Sequence, residues 1–358
     1  MTTQDCSNLF VARIKEAAAA GAALRIRGGG TKDFYGRELI GDILDTRGHA
    51  GILAYEPTEL VITARAGTRL AEIEAALAEQ GQMLAFEPPH FGDETTLGGV
   101  VAAGLSGPRR ATVGAVRDFV LGVKIIDGRG EIQSFGGQVM KNVAGYDVSR
   151  LLAGSLGTLG LMLEVSLKVL PRPVEERTLR LELSESVALN ALNNWAGQPI
   201  PISGTCWHDG VLTVRLSGAR AAVAKARSTL GGEVLEDAVR FWASLRDQTD
   251  GFFHLDGEAA LWRLSLPSTT PDLGLAGDTL IEWGGAQRWL KTTMEASALR
   301  RVAAAVDGHG TLYRGGSPLL RKTAGVFQAL PGPMAALQTR LKKAFDPAGI
   351  FNPGRMYS

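Results

Sequence analysis

The chain has 358 residues, which is long enough for two domains with cores of their own. Hydrophobic residues make up 45%, charged residues 21%, and the formal net charge is only +1. This balance gives no reason to expect nucleic acid or an anionic membrane surface as a partner. The two cysteines, Cys6 and Cys206, are too few for a disulfide framework or for an iron–sulfur cluster.

Neither a secretory signal nor a membrane span is expected. The first residues lack the basic region and the long apolar run of a signal peptide. Residues 187–207 carry no charge, but their asparagines, a glutamine and two prolines argue against a bilayer span. We therefore expect a soluble cytoplasmic protein that reaches the inner membrane only through partners.

The first half of the chain predicts helices and strands that end at glycine turns. An alanine-rich helix over residues 9–20 stops at Gly21 and is followed by a strand over 24–26. A second strand, over 61–64, precedes a helix with Thr68 as its N-cap and apolar residues at helical spacing up to Gly81.

A hairpin and a long strand complete this half. Residues 119–126 and 132–135 flank the turn sequence Asp-Gly-Arg-Gly at 127–130, which is typical of a β-hairpin. Residues 159–169 alternate between apolar and polar side chains, as a half-buried strand does. Pro171-Arg172-Pro173 breaks this pattern, so we place a domain boundary after residue 172.

The second half mixes strands and helices. Strands are predicted over 177–183, 211–216, 261–266 and 280–283, and helices over 187–195, 219–230, 237–246, 295–306 and 334–344. This order favours an α+β fold class with an antiparallel sheet covered by helices.

Two glycine-dense turns, at residues 27–31 (Arg-Gly-Gly-Gly-Thr) and 154–160 (Gly-Ser-Leu-Gly-Thr-Leu-Gly), each adjoin an apolar strand. Such turns let main-chain N–H groups approach an anion, although the first one alone could equally be a plain loop. Asp33 stands where a Rossmann fingerprint needs its third glycine, and Gly30-Thr31-Lys32 has the wrong order for a P-loop. The pair of turns predicts a dinucleotide cradle of another kind.

Three further motifs complete an ordered series: the small-residue loop at 95–107, Gly-Tyr-Asp at 145–147 and Asn-Pro-Gly-Arg at 352–355. The series resembles that of the FAD-linked oxidases of the vanillyl-alcohol-oxidase type. The resemblance covers about residues 20–172 and the last dozen. It implies a two-lobed PCMH-type FAD-binding domain over 1–172 and a smaller, shortened C-terminal domain over 173–358, whose last residues return to the FAD-binding domain.

The resemblance also implies which residues contact the cofactor. For Arg27 and for Lys32, which follows the first turn, the alternative is that they are solvated loop cations without a role in binding. The expected FAD-binding residues are Arg27, Gly28, Gly29, Gly30, Thr31, Lys32, Pro88, Pro89, Thr96, Gly98, Gly99, Gly104, Gly107, Asn142, Tyr146, Asp147, Gly157, Thr158, Leu159, Gly160 and Arg355.

Many members of the family attach FAD covalently through a histidine in the first glycine loop. This loop contains none, so we expect FAD to be bound non-covalently. No two histidines stand at the spacing of metal ligands, and no metal is predicted. His90 follows two prolines beside an expected cofactor loop and is a candidate for acid–base chemistry.

The candidate catalytic residues are His90, Arg288, His309 and Arg314. Arg288 and Arg314 could pair with a substrate carboxylate, with a surface or ion-pair role as the alternative. Relatives that act on 2-hydroxy acids carry a histidine-rich segment in the C-terminal domain, whereas the corresponding residues 308–316 here keep only His309. A self-sufficient substrate site is therefore in doubt.

Segments 86–92, 140–150 and 281–289 resemble the FAD-binding subunits of glycolate oxidases. This implies oxidation of glycolate, a small 2-hydroxy acid, to glyoxylate in a complex with a second flavoprotein subunit and an iron–sulfur subunit. The alternatives are a free-standing oxidase of another small hydroxy acid or alcohol, and a supporting subunit without a catalytic site.

Overall fold

A computed structural model describes residues 5–137 and 147–357. The helices are α1 Ser7–Ala20, α2 Leu70–Glu79, α3 Leu97–Ala103, α4 Arg110–Val113, α5 Val116–Phe119, α6 Glu185–Ala196, α7 Arg220–Leu230, α8 Ala238–Asp247, α9 Ala296–Ala304, α10 Pro318–Ala324 and α11 Gly332–Phe345. The strands are β1 Leu24–Arg27, β2 Asp42–Asp45, β3 Ile52–Glu56, β4 Val61–Arg65, β5 Gln82–Met83, β6 Val120–Ile126, β7 Ile132–Gly136, β8 Leu161–Lys168, β9 Leu170–Pro171, β10 Glu175–Glu182, β11 Ile202–His208, β12 Val211–Gly218, β13 Glu233–Val234, β14 Ala260–Ser265, β15 Asp278–Glu282, β16 Gln287–Thr292 and β17 His309–Gly315.

The chain divides into two compact units. The first unit comprises residues 1–106, 114–172 and 329–358. The second unit comprises residues 107–113 and 173–328. Each unit has a sheet and a core of its own, and they are described separately.

The first unit is built on a five-stranded antiparallel sheet in the order β3-β4-β8-β6-β7. The central strand β8 packs Leu161 and Leu163 against α1. On its other face Met162 and Ser166 are buried too, and Ser166 Oγ lies 2.8 Å from Thr63 Oγ1. The prediction of a half-buried strand is therefore wrong, because neighbouring elements cover both faces of β8.

Several local predictions for this unit are confirmed. Helix α1 ends at Gly21, whose φ of 62° is left-handed, and β6 and β7 form the expected hairpin. The predicted cap of α2 is wrong. Arg69 occupies the N-cap position, whereas the Thr68 hydroxyl accepts a hydrogen bond from Gly51 N–H at 2.8 Å. The hydrogen bond from Gly51 thus occupies the Thr68 hydroxyl that the local sequence pattern predicted to cap α2.

The second unit contains an eight-stranded antiparallel sheet in the order β13-β10-β12-β11-β15-β16-β14-β17. One face packs apolar residues of β10 and β12 against α6 and α7, and apolar residues of β14, β16 and β17 against α9. This confirms the α+β class and an antiparallel sheet covered by helices. The strands β11, β13, β16 and β17 were not predicted.

His49 ties the start of α1 to the body of the first unit. Its side chain is 1% exposed, and Nδ1 accepts a hydrogen bond from Cys6 N–H at 3.1 Å. Burial lowers the pKa of His49 below its usual value, an effect that the nearby Asp5 carboxylate only partly opposes. The folded protein therefore holds this imidazole in its neutral form.

This burial predicts a loss of stability in mild acid. Because the folded pKa lies below the unfolded value of about 6.5, the unfolded chain binds more protons as the pH falls through that value towards the folded pKa. Wild-type melting temperature should therefore fall between about pH 7.5 and pH 5.5. His49→Asn, which keeps an acceptor but does not titrate, should fall less, and His254→Asn at an exposed histidine should match wild type. Equal pH dependence in wild type and His49→Asn would contradict this account.

Candidate functional site

An open cleft lies in the first unit. Its walls come from parts of the chain that are far apart in sequence: 26–33, 96–103, 156–162 and 352–355, with Leu39, Thr46 and Ala66. The cleft thus brings together the two glycine-dense turns and the C-terminal motif.

The first glycine turn lies very close to the segment before α3. A Cβ atom added to Gly28 would lie 2.2 Å from Thr96 Oγ1, and one added to Gly29 would lie 1.6 Å from the Glu94 carbonyl oxygen. Neither distance is sterically possible. Only glycine therefore allows the main chain of this turn to form a wall of the cleft beside Thr96.

The adjoining wall begins at α3. Thr96 is the N-cap of this helix, and its Oγ1 accepts a hydrogen bond from Gly99 N–H at 3.3 Å. A Cβ atom on Gly98 would lie 2.9 Å from Ala66 Cβ, so this helix also approaches the end of β4 closely. The result is a wall of main chain and small side chains.

The C-terminal motif at 352–355 joins the two glycine-dense turns, at 27–31 and 154–160. Asn352 Nδ2 donates to the Leu156 carbonyl at 2.7 Å, and Asn352 Oδ1 accepts from Ile26 N–H at 2.7 Å. Asn352 and Leu156 both have left-handed backbones, with φ of 40° and 51°. Such conformations in non-glycine residues persist only where surrounding contacts hold them. Asn352 is therefore a buried link between β1 and the turn after residue 155.

The charge on the cleft suits a dianion. Three cationic side chains, Arg27, Lys32 and Arg355, and one anionic side chain, Asp33, line it. Arg27 Nε lies 2.8 Å from Asp33 Oδ2. The Arg355 guanidinium donates to the carbonyls of Arg37, Asp33 and Tyr35, and burial lowers the pKa of Arg355 to about 10.

These features fit FAD. Its diphosphate needs cations and approachable main chain, and its ring system needs apolar walls. The glycine turns and the three cations meet the first need. Apolar residues meet the second, namely Ile26, Leu39, Ala66, Ala102, Ala103, Leu156 and Met162. Among the described residues that line the cleft, none is a histidine or a cysteine that could carry a covalent flavin.

Many of the expected cofactor residues are brought together. Those that line the cleft are Arg27, Gly28, Gly29, Gly30, Thr31, Lys32, Thr96, Gly98, Gly99, Gly157, Gly160 and Arg355. Those in the described chain that do not line it are Pro88, Pro89, Gly104, Gly107, Asp147, Thr158 and Leu159. Asn142 and Tyr146 lie outside the described residues. Gly107 belongs to the second unit, where its carbonyl accepts from Trp283 Nε1 at 3.1 Å.

The sequence motifs missed several lining residues, among them Asn352, Leu156 and Met162. Asn352 stood in a motif that carried the resemblance, so its position in the Asn-Pro-Gly turn was the available signal. Met162 had no local signal, because it occupies the polar phase of an alternating strand.

His90 lies in the first unit, next to the segment that faces the first turn. Its Nε2 is 2.9 Å from Glu74 Oε2 on α2, and the imidazole is 22% exposed. Its carbonyl oxygen lies 3.4 Å from Lys32 Nζ, a cation of the cleft. The main chain of His90 thus borders the site, and a catalytic role for its side chain stays a prediction.

The other three candidates lie in the second unit. Arg288 is 3% exposed, and its guanidinium donates to the carbonyls of Gly285, Pro271 and Thr270. These contacts give Arg288 a structural role in fixing the loop before β15. In the strand register, Arg288 is paired with Leu264, and Leu264 is paired with Gly310, so these three residues share one face of the sheet. His309 is next to Gly310 on β17 and therefore faces the opposite side.

His309 is the first residue of β17, and Arg314 precedes its last residue. His309 is exposed, while Arg314 is half-buried and donates to Gln248 Oε1 at 3.0 Å. The structure therefore does not bring the three second-unit candidates into one cluster, and their catalytic roles stay predictions.

A buried carboxylate lies on the sheet face opposite to Arg288. Glu282 is 4% exposed, and its Oε2 accepts from Trp289 Nε1 at 2.7 Å and from Gln287 Nε2 at 3.1 Å. Residues 281–289 were used above only as part of the resemblance, and Glu282 was not predicted as a site residue. The alternation of side chains between the two faces of the β15–β16 hairpin was the signal that could have identified Glu282.

Neither a metal-ion site nor a bilayer-spanning helix is found among the described residues. No group of three or more His, Cys, Asp or Glu side chains there is placed to hold a metal ion. In the same part of the chain, no helix combines the length and the apolar character that crossing a bilayer requires.

Comparison with known proteins agrees with the cleft. Residues 8–136 match the FAD binding domain family, and residues 322–356 match the family described as FAD linked oxidases, C-terminal domain. Glycolate oxidase subunit GlcE of Escherichia coli (strain K12) is 50% identical over 99% of this chain and 98% of its own. Glycolate oxidase subunit GlcD of Bacillus subtilis (strain 168) is 34% identical over 38% of this chain and 28% of its own.

The fold is shared with a solved structure of low sequence identity. An alkyldihydroxyacetonephosphate synthase aligns with a TM-score of 0.63 at 15% identity, covering 96% of this chain and 73% of its own. At this identity the likeness concerns the fold alone.

The close approach at Gly29 predicts a sharp effect of one methyl group. In Gly29→Ala the new Cβ must displace the Glu94 main chain, which should cost about 3 kcal/mol of unfolding free energy and move the turn. FAD affinity, measured by titration of the purified protein, should fall at least about tenfold. Gly332→Ala is the control, because open space surrounds that glycine in the same unit. Wild-type FAD affinity in Gly29→Ala would show that the turn is not part of the site.

Proposed function

Because the chain belongs to the family of FAD-linked oxidases, we propose that it is the FAD-binding subunit of a glycolate oxidase. The observation that carries the proposal is the cleft, in which two glycine turns and three cations converge beside apolar walls. The near-complete match to a named glycolate oxidase subunit supports the substrate class, a small 2-hydroxy acid. FAD is the cofactor.

We assign FAD binding to the first unit, whose residues alone line the cleft, and a role in substrate binding to the second unit. Bound FAD supplies the two-electron oxidising chemistry that converts an alcohol into a carbonyl. The glycine turns admit the diphosphate, and Arg27, Lys32 and Arg355 oppose its charge. Met162, Leu156 and the alanines of α3 exclude water from the apolar part of the cleft.

The electrons are proposed to leave through a partner chain that holds iron–sulfur clusters, because two cysteines cannot ligate one such cluster. A second flavoprotein subunit completes the proposed complex, in keeping with the word subunit in the names of both relatives. We place the complex in the cytoplasm, with any attachment to the inner membrane made by its partners.

A supporting role without a complete catalytic site is the second candidate. It is favoured by one observation: Arg288 is committed to main-chain carbonyls, and His309 is an exposed residue on the other face of the sheet. In that case the chain carries FAD and electrons, and glycolate is oxidised on the second flavoprotein subunit.

Flavin release and anaerobic reduction test these proposals. The purified chain should carry FAD that is released into the supernatant when the protein is denatured, since no covalent link is expected. A purified, folded chain that neither contains nor takes up FAD would refute the cofactor role.

Anaerobic glycolate should bleach the flavin absorbance of the reconstituted complex. If the chain alone is bleached at the same rate, it is a self-sufficient oxidase. If only the complex responds, the subunit role holds. D-lactate in place of glycolate, under the same conditions, reports how strictly the site selects the shorter acid.

A further inference from the structure

The turn after residue 155 is held by the C-terminal part of the chain and not by its own neighbours alone. Lys342, on α11, directs its ammonium group at three acceptors: the Thr158 carbonyl at 2.7 Å, the Phe351 carbonyl at 2.8 Å and Asp346 Oδ2 at 2.5 Å. An ammonium group has three N–H donors, so these contacts use its full capacity. All these residues belong to the first unit.

Asp346 fixes the geometry of this lysine. Its carboxylate is buried and also accepts from Ile350 N–H at 3.1 Å and from Phe351 N–H at 2.8 Å. Burial lowers the pKa of Lys342, and the Asp346 charge opposes that shift. The pair thus locks residues 346–351 and the ammonium group into one arrangement.

The same segment reaches the first glycine turn. Leu24 N–H donates to the Ile350 carbonyl at 2.7 Å, and Asn352 N–H donates to the Leu24 carbonyl at 2.9 Å. The Asn352 side chain then links Ile26 to Leu156, as described above. Residues 350–352 therefore run beside β1, which leads directly into Gly28 and Gly29.

Helix α11 itself contributes little packing to this arrangement. None of its 14 residues is buried. Its C-terminal end is held by hydrogen bonds, from Gly128 N–H to the Phe345 carbonyl at 2.8 Å and from Arg129 Nη1 to the Ala344 carbonyl at 3.1 Å. Lys342 is thus a polar connection between an exposed helix and a cofactor turn.

We propose that Lys342 and Asn352 are positioning residues for FAD: they set the distance between the turn at 155–160 and the first glycine turn. Neither needs to touch the flavin. Lys342 acts through the Thr158 carbonyl, between the lining residues Gly157 and Gly160, and Asn352 acts through the Leu156 carbonyl. This inference rests on the proposed function, since it assumes that the cleft binds FAD.

Lys342→Met removes the ammonium group and keeps most of the side-chain length. FAD affinity of the purified apoprotein should fall at least about tenfold, the effect of losing a charge-assisted hydrogen bond that orders the site. The visible circular dichroism of the flavin that still binds should change, because the turn beside it is displaced. Lys343→Met, at an exposed neighbour on the same helix, should behave as wild type in both measurements.

A purely structural lysine would lower the melting temperature of the apoprotein but leave FAD affinity and the dichroism of the folded fraction unchanged. That result would overturn the inference, and so would an equal loss of affinity in Lys343→Met. If Lys342→Met does not fold, Asn352→Asp tests the same claim, because it keeps the acceptor for Ile26 and removes the donor to Leu156. Wild-type affinity in Asn352→Asp would then overturn it.

The proposed FAD-binding function and the positioning role of Lys342 can fail independently. A wild-type protein that does not bind FAD refutes the proposed function. A wild-type protein that binds FAD, together with a folded Lys342→Met variant that binds it equally well, refutes only the positioning role.

Discussion

The first unit depends on close approach of glycine main chain to neighbouring segments at points where no further side chain fits. Gly28 and Gly29 lie against Thr96 and Glu94, and Gly157 lies against Asn352, whose Nδ2 would be 2.7 Å from an added Cβ. These approaches bring distant segments to one cleft. Because each approach leaves no room for a methyl group, the wall of the cleft consists mainly of backbone, which can face a diphosphate without steric hindrance.

The sheets of the two units differ in which side chains they bury on each face. In the first unit, β8 is buried on both faces, and Met162 on the second face contributes to the cleft. In the second unit, one sheet face packs against helices, while the other carries Glu282 among aromatic and amide donors. Burying a carboxylate costs free energy, and the hydrogen bonds from Gln287 and Trp289 offset that cost at Glu282.

Local signals predicted much of the fold and less of the site. Helix α1 and the β6–β7 hairpin followed from Gly21 and from the Asp-Gly turn, because both patterns act within a few residues. Strands β11 and β17 were missed, since Gly and Ser in β11 and an initial His-Gly in β17 weaken the strand pattern. The glycines of the cleft were found through motifs, whereas Leu156 and Met162 acquire their roles only from partners far along the chain. Thr68 shows the same limit, because Gly51 claims the hydroxyl that local spacing assigned to a cap.

Hydrogen–deuterium exchange of the purified protein, with and without added FAD, measures which segments of the chain the cofactor protects. FAD should slow exchange together in three separated segments, around residues 26–33, 96–103 and 156–160, because all three line one cleft. Protection that falls elsewhere, or in only one of these segments, would contradict a shared diphosphate site.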